Sequence, residues 1–174
     1  MKVVGVDFGG VLNSSRSMCA LRGCGFPGGP DPKLDPIAVA LLRRVVDETG
    51  CHVVISSTWR IGSKLADFYR IFDHYGWDTR LVVIGMTPRL DLPNDVHRDR
   101  GRGLECLRWI EMWSATERGK DNPVEDYICI DDDSDFTPAQ KAGGQFVHTD
   151  AEFGFSRSHY DAIVTRFGQA VKEA

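Results

Sequence analysis

The sequence contains no long apolar run. No stretch approaches the ~18 consecutive apolar residues of a membrane-spanning helix, so we expect no transmembrane segment and no membrane partner. The amino terminus does not show the basic region, apolar segment and cleavage site of a secretory signal peptide. Internal repeats and low-complexity tracts are also missing, which excludes solenoid and fibrous architectures.

Cysteine is present in an odd number and without close pairs. The five cysteines are scattered, and no C-x-x-C motif occurs. Such usage is typical of reduced thiols, so we expect no disulfides and a cytoplasmic location. The formal net charge of −4 does not indicate a protein that coats nucleic acid.

The remaining composition is that of an ordinary globular protein, with 42% hydrophobic and 26% charged residues. A length of 174 residues fits a single domain, which we expect to span 1–174. Short apolar runs predict strands at 3–6, 52–56, 81–84, 126–130 and 145–148. Because helical patterns separate these runs, the sequence predicts an α/β fold: a doubly wound, mostly parallel five-stranded sheet with helices on both faces.

Helices are predicted between the strands, over about 36–49, 63–75 and 102–113, and from 158 onward. Asp35 followed by Pro36 is a typical start for the first helix, whose expected apolar stripe is Ile37, Leu41, Leu42 and Val45. Ser158 and Asp161 form an expected capping box for the last helix. Two segments are expected to be loops: 14–34, a loop or flap insertion, and 86–100, on the substrate side.

Polar residues follow the first two strands at the edge where open α/β sheets bind ligands. Asp7 ends the first strand and is followed by Gly9 and Gly10, which allow the backbone to approach a ligand closely. The second strand ends in Ser56-Ser57-Thr58-Trp59-Arg60, whose hydroxyl and N–H groups suit a phosphate oxygen or simply cap the next helix.

A cluster of carboxylates and a cation complete the set. The fourth strand ends in Asp131-Asp132-Asp133-Ser134-Asp135, without a basic residue among them. These charges repel one another, so we expect a positive partner, and carboxylates of this kind make magnesium sites. The alternative is a solvated acidic turn. Arg102 opens a predicted helix, where a cation gains nothing from the helix dipole, so it is either a solvated side chain or a phosphate clamp.

These stretches, in this order, resemble the four motifs of the haloacid dehalogenase-like (HAD) superfamily of phosphatases. Asp7 to Asn13 is similar to the first motif, Ser56 to the second, Arg102 to the third and Asp131-Asp132 to the fourth. The finer pattern resembles a small capless branch of phage and bacterial proteins and of HAD domains attached to RNA-repair enzymes. The resemblance therefore implies a single domain without a separate cap.

The resemblance also implies a role for each motif. Asp7 would be the nucleophile that forms an aspartyl-phosphate, while Ser56 and Arg102 would bind the transferred phosphoryl group. Mg²⁺ would be held by Asp7, the Gly9 carbonyl and Asp132, with Asp131 as a direct or water-mediated ligand. The neighbouring carboxylates, Asp133 and Asp135, would support these ligands.

Gly9 departs from the family pattern. Phosphatases of this superfamily usually have a second Asp two residues after the nucleophile, which acts as general acid and base. A glycine transfers no proton, so three explanations stand: an engineered replacement, a natural variant that uses another acid, and a binding protein without turnover. His97 is the one histidine that we consider as a replacement acid.

An uncapped site admits extended substrates, and the predicted rim is rich in cations. Expected substrate-binding residues are Gly10, Ser57, Trp59, Arg60, Arg89, His97 and Arg100, with Arg16, Arg22, Arg98 and Phe26 also near the rim. Aromatic and arginine side chains of this kind stack on bases and bind phosphates. We therefore expect the substrate to be a phosphorylated nucleotide or nucleic-acid end. The alternatives are a small-molecule phosphatase and a non-catalytic module that binds phosphate or Mg²⁺.

Overall fold

The computed structural model describes residues 1–23 and 34–169. Five strands form one parallel sheet in the order β3-β2-β1-β4-β5. They are β1 (Lys2–Val6), β2 (His52–Ile55), β3 (Val83–Met86), β4 (Asp126–Asp131) and β5 (Phe146–His148). The helices are α1 (Ser15–Gly23), α2 (Pro36–Thr49), α3 (Leu65–His74), α4 (Asn94–Ser114), α5 (Glu117–Asp121), α6 (Pro138–Ala142) and α7 (Arg157–Gln169). The predicted fold class is confirmed, and the described residues contain no separate cap domain.

Helices cover both faces of the sheet. On one face, α2, α3 and α7 bury apolar side chains against the sheet in the largest core cluster, which includes Val6, Leu42, Phe72 and Phe167. On the other face, α4 packs Trp109 against β1 and β2. No helix in residues 1–23 or 34–169 has the length and apolar character needed to cross a bilayer.

The chain order creates a switch point at the centre of the sheet. From β1 the chain builds β2 and then β3 on one side, and it returns to place β4 and β5 on the other side of β1. Val6 pairs with Ile55 on one side and with Ile130 on the other. The residues that follow these three positions therefore meet at one edge, where open α/β sheets place their ligands.

The start of α2 agrees with the prediction, but the predicted apolar stripe is shifted. The Asp35 side chain accepts a hydrogen bond from the Ile37 amide, and Pro36 is the first helical residue. Ile37 itself is 70% exposed, whereas the buried residues of the helix are Ala38, Val39, Leu42, Val45 and Val46. Because a helix turns 100° per residue, the stripe that contains Leu42 and Val45 also contains Ala38 and Val39, whereas Ile37 faces away from the core.

Both segments that were expected to be loops contain helix. Ser15–Gly23 forms α1, where the Ser14 hydroxyl accepts a hydrogen bond from the Ser17 amide at 3.1 Å. The rest of the predicted flap, 24–33 with Phe26, lies outside the described residues, as does the side chain of Arg22. In the second segment, α4 begins at Asn94 and continues to Ser114 across a kink at Arg100. Its first turns are mostly exposed, so they lack the apolar stripe that predicts a helix.

Two further boundaries differ from the prediction. The third strand starts at Val83 and not at Leu81, because the Thr79 carbonyl accepts hydrogen bonds from the amides of Val82 and Val83 and extends the preceding turn. The predicted capping box of the last helix is not formed. Ser158 lies inside α7, and Asp161 pairs with Arg157 across one turn of the helix at 2.9 Å.

Candidate active site

Three carboxylates converge at the carboxyl edge of the sheet. Asp7, Asp131 and Asp132 each offer one oxygen, and these atoms lie within 4.8 Å of one another. The parallel pairing of Val6 with Ile130 places the ends of β1 and β4 side by side. The predicted convergence of the first and fourth motifs is therefore present in the structure.

The two buried carboxylates of this cluster are not satisfied by the protein. Oδ1 of Asp7 and Oδ2 of Asp131 are buried and lack hydrogen-bond partners in the described part of the chain. Burial raises the pKa of Asp7, while the Ser57 hydroxyl and the charge of Arg102 act in the opposite direction. Burial, together with the negative charge of Asp7, raises the pKa of Asp131 to about 8. The charge of Arg102 opposes the rise of the pKa at both carboxylates.

The residues present fit a divalent metal ion. Their donors are carboxylate oxygens, which hard cations such as Mg²⁺ prefer. Within the described residues, Oδ1 of Asp7 is buried without a hydrogen-bond partner, and Oδ2 of Asp131 has only the ion pair with Arg102. An unpartnered buried carboxylate oxygen is costly, and a cation bound to Asp7 would remove that cost. The carbonyl of Gly9 was expected to be a further ligand. Gly9 lies two residues after Asp7, in a turn where it forms an isolated β-bridge with Asn13.

Gly10 contributes to the site by lacking a side chain. It has a φ of +65°, and a Cβ at this position would lie 2.2 Å from Oδ2 of Asp132. Its N–H, the group that could donate to a phosphate, already donates to the Asn13 carbonyl, and its carbonyl accepts from the Thr149 hydroxyl. Gly10 therefore gives the Asp132 carboxylate the space to join the cluster.

The two serines after β2 have different environments. Ser56 continues the sheet, since its amide donates to the Val6 carbonyl, and its hydroxyl lies 3.5 Å from the Cys106 sulfur. Ser57 is fully buried, its hydroxyl accepts a hydrogen bond from the Trp59 amide at 3.3 Å, and it lowers the pKa of Asp7. Ser57 is therefore a second candidate, beside Ser56, for the hydroxyl that binds a phosphoryl oxygen.

Arg102 is the buried cation of the site. Its Nε lies 3.2 Å from Oδ2 of Asp131, although the N–H is not aligned for a hydrogen bond. Burial lowers the pKa of Arg102, but attraction to Asp131, Asp7, Glu105 and Asp135 outweighs it and raises the pKa. The guanidinium group therefore remains charged beside the carboxylates, as a phosphoryl clamp requires.

Asp135 positions the part of α4 that carries Arg102. The kink at Arg100 interrupts the helix and leaves amide groups without helical partners at the start of its second part. The Asp135 side chain accepts from the Arg102 amide at 3.0 Å, and its carbonyl accepts from the Gly103 amide at 3.1 Å. Asp135 thus holds the backbone that carries Arg102, while the Asp133 side chain is exposed.

Trp59 and Arg60 are used within the protein. The Trp59 ring is half-buried and packs edge-on against Phe8, with 5.3 Å between the ring centres. Arg60 is buried, and each guanidinium nitrogen already contacts a carbonyl or the Glu105 carboxylate. The donors of the Arg60 guanidinium group are thus engaged within the protein, whereas part of the Trp59 ring is exposed.

A cleft of about 370 Å³ is lined by Arg102 and Asp135, and its lining among the described residues does not include Asp7, Asp131 or Asp132. The lining also includes the cations Arg60, Arg89 and Arg98, together with His97, Asp133 and Ser134. Arg89 and Arg98 are exposed and make no ion pair within the described residues. Arg100 does not line the cleft, and its Nε lies 4.0 Å from Asp99.

Sequence reasoning missed two residues at this site. Glu105 is 3% exposed and pairs with both Arg60 and Arg102. Its spacing of three residues from Arg102 on a helix is the signal that would have placed the two on one face. Nε2 of His148 lies 2.9 Å from the Asp132 carbonyl oxygen, and only the pairing of β5 with β4 brings it there.

The fold and the strand-end cluster together define a HAD-type domain. The chain belongs to the family described as the HAD domain in Swiss Army Knife RNA repair proteins, whose model matches residues 3–160. This match includes all four motifs and confirms the resemblance to the HAD superfamily. No curated protein and no solved structure matches the chain. Membership of the family indicates a phosphatase-type hydrolase module.

Proposed function

We propose that this domain is a Mg²⁺-dependent phosphohydrolase that acts through an aspartyl-phosphate on phosphorylated nucleotides or nucleic-acid ends. The observation that carries this proposal is the convergence of Asp7, Asp131 and Asp132 within 4.8 Å, where Oδ1 of Asp7 is buried and has no hydrogen-bond partner among the described residues. A purely structural cluster would satisfy this oxygen with a hydrogen bond. Arg102 beside them provides the fixed positive charge that a transferred phosphoryl group needs.

Each residue has a distinct part in this reaction. Asp7, Asp132 and the Gly9 carbonyl would hold Mg²⁺, with Asp131 bound directly or through water. The bound ion would supply positive charge that reduces the repulsion between the attacking carboxylate and the negatively charged phosphoryl group. Ser57 and Arg102 bind phosphoryl oxygens and orient the group. In this proposal Ser57, whose hydroxyl lowers the pKa of Asp7, takes the role that the motif gives to Ser56.

The reaction has two steps in which bonds to phosphorus are exchanged. In the first, a carboxylate oxygen of Asp7 forms a bond to phosphorus, and the bond from phosphorus to the leaving oxygen breaks. The leaving oxygen takes up a proton from solvent water, or from His97 where that residue acts as the replacement acid. In the second step, water attacks the aspartyl-phosphate, which releases inorganic phosphate and restores the Asp7 carboxylate.

Gly9 is the reason to keep a second candidate function. No side chain at this position transfers the proton, a contribution typically worth ~10²–10⁴ in rate. His97 lines the cleft and is the candidate for a replacement acid. If no group replaces the missing acid, the domain is a module that binds Mg²⁺ and phosphate without significant turnover.

The open cleft favours a nucleic-acid end as the substrate. Arg89 and Arg98 line it together with Arg102, so a substrate with a second phosphate has further cations to contact. The description of the family, which names RNA repair proteins, points to the same class of substrate. A small-molecule phosphatase is the alternative, and it would need only the phosphoryl site itself.

The test measures phosphate release from an aryl phosphate, a mononucleotide and oligonucleotides phosphorylated at the 3′ or the 5′ end. Each substrate is assayed with Mg²⁺ and with a chelator. We expect metal-dependent release that the Asp7→Asn variant abolishes, and lower KM values for oligonucleotides than for the mononucleotide. Release without metal, or by the Asp7→Asn variant, would contradict the mechanism. The binding-module function would be supported if this chain and its Gly9→Asp variant both bound Mg²⁺ and phosphate but released no phosphate from any substrate.

A further inference from the structure

Arg60 ties the end of β2 to two neighbouring segments. Its Nη1 donates to the Ser57 carbonyl at 2.6 Å, and its Nε donates to the Thr87 carbonyl at 2.7 Å. Its Nη2 donates to Glu105 at 2.5 Å and to the Pro88 carbonyl at 3.4 Å. The guanidinium group is buried, so these contacts fix the backbone that carries the Ser57 hydroxyl.

Glu105 joins this arginine to the cation of the site. Its Oε2 accepts from Arg60 and lies 3.7 Å from Nη1 of Arg102, and its Oε1 accepts from the Leu90 amide at 3.2 Å. The Glu105 side chain is 3% exposed. One buried carboxylate thus separates two buried guanidinium groups that would otherwise repel each other.

The connection spans elements that are distant in the chain. Arg60 and Glu105 are separated by 45 residues, and they link the turn after β2 to helix α4. In the proposed reaction, Ser57 on the turn and Arg102 on the helix bind oxygens of the same phosphoryl group. Their separation must therefore match the geometry of the transition state, and one misplaced ångström has a large effect on rate.

We propose that Arg60 and Glu105 are positioning residues that hold Ser57 and Arg102 at the separation required for phosphoryl transfer. This inference rests on the function proposed above. A buried ion pair by itself contributes little net stability, because desolvation offsets the attraction. Maintaining two phosphoryl-binding groups in register is a role that the observed contacts support directly.

The test is the Glu105→Gln variant, which keeps the shape and one acceptor oxygen but removes the charge between the two arginines. We expect kcat to fall roughly 10- to 100-fold with a smaller change in KM, as is typical when a supporting partner of a site is removed. Inhibition by orthovanadate, which resembles the transition state, should weaken in parallel with kcat. Inhibition by inorganic phosphate should weaken less, because it resembles the ground state.

A matched control is Asp126→Asn, which also converts an acid to its amide. Asp126 pairs with Arg166 at 2.7 Å at the start of β4, the end of the sheet opposite to the site. We expect Asp126→Asn to lower thermal stability and to leave kcat unchanged. The positioning role would be overturned if Glu105→Gln kept the kcat and the vanadate inhibition of the parent protein. It would also be overturned if the two variants lost kcat equally.

The result remains informative if the proposed function fails. Without turnover by the wild-type protein and its Gly9→Asp variant, Mg²⁺-dependent binding of orthovanadate and inorganic phosphate is measured by calorimetry. If Glu105→Gln weakens the binding of orthovanadate more than the binding of phosphate, the positioning role is supported. If both affinities stay unchanged, it is overturned. If the wild-type protein binds neither anion, both the function and the positioning role are wrong.

Discussion

Gly10 and Asp132 are in such close contact that no side chain fits between them. A Cβ on Gly10 would lie 2.2 Å from Oδ2 of Asp132 and 2.8 Å from its Cβ. Since Asp132 is one of the three clustered carboxylates, the absence of a side chain at position 10 is part of the site. The turn after β1 thus shapes the candidate metal site as well as supplying Asp7.

Gly10→Ala is therefore expected to impair metal binding. The added methyl group displaces the Asp132 carboxylate, so the Mg²⁺ dissociation constant measured by calorimetry should rise by at least roughly 10-fold, as when other supporting groups of a metal site are removed. The left-handed backbone costs about 1–2 kcal/mol in addition. Gly50→Ala is the control, because Gly50 has the same φ of +65° with no atom near its missing Cβ. Equal Mg²⁺ affinity in both variants would contradict the steric role.

Gly9→Asp tests whether the missing acid limits turnover. A Cβ on Gly9 would meet only Oδ2 of Asp7 within 4 Å, at a distance of 3.7 Å, so the new side chain has room. We expect kcat to rise about 10²–10⁴-fold for nucleotide substrates, whose leaving oxygens need a proton, and less for an aryl phosphate. Gly9→Asn has nearly the same shape and cannot transfer the proton. A comparable gain in Gly9→Asn would show that proton transfer is not the cause.

Much of the site could be predicted because its residues follow buried strands. The apolar runs before Asp7 and Asp131 are short and β-branched, and parallel strands bring their carboxyl ends to one edge. The convergence of these two carboxylates therefore followed from local patterns alone. The start of α2 was equally local, because Asp35 and Pro36 act on their immediate neighbours.

The roles of Arg60 and of the two serines depend on information that is not local. Arg60 contacts the carbonyls of Thr87 and Pro88, which only tertiary folding brings near. Because the sequence does not reveal these partners, Arg60 was interpreted as a cation available to a substrate. Ser56 and Ser57 point to different surroundings, but β2 is buried on both faces and shows no alternation that indicates the orientation of each.

Alanine substitution at the two serines separates their roles. Ser57→Ala should reduce kcat/KM about 10- to 150-fold, the equivalent of a hydrogen bond to a charged group worth about 1.5–3 kcal/mol. Ser57→Thr, which keeps a hydroxyl, should restore part of the activity. Ser56→Ala should change kcat/KM little, since its hydroxyl lies against Cys106. If kcat/KM fell further in Ser56→Ala than in Ser57→Ala, Ser56 would be the phosphoryl-binding serine of the second motif.

The cations at the cleft give a prediction about substrate length. Arg89 and Arg98 line the cleft without ion-pair partners in the described residues, so we expect them to bind the phosphates that follow the terminal one. The Arg89→Ala/Arg98→Ala double variant should raise KM for a phosphorylated oligonucleotide and leave aryl phosphate turnover unchanged. The salt dependence of oligonucleotide binding should also weaken, by about 0.7 in log–log slope for each phosphate that the variant no longer binds. Arg108→Ala/Arg118→Ala is the control, because these arginines lie outside the cleft lining. Equal oligonucleotide KM values in the two double variants would show that bulk charge, and not the cleft, binds the chain of phosphates.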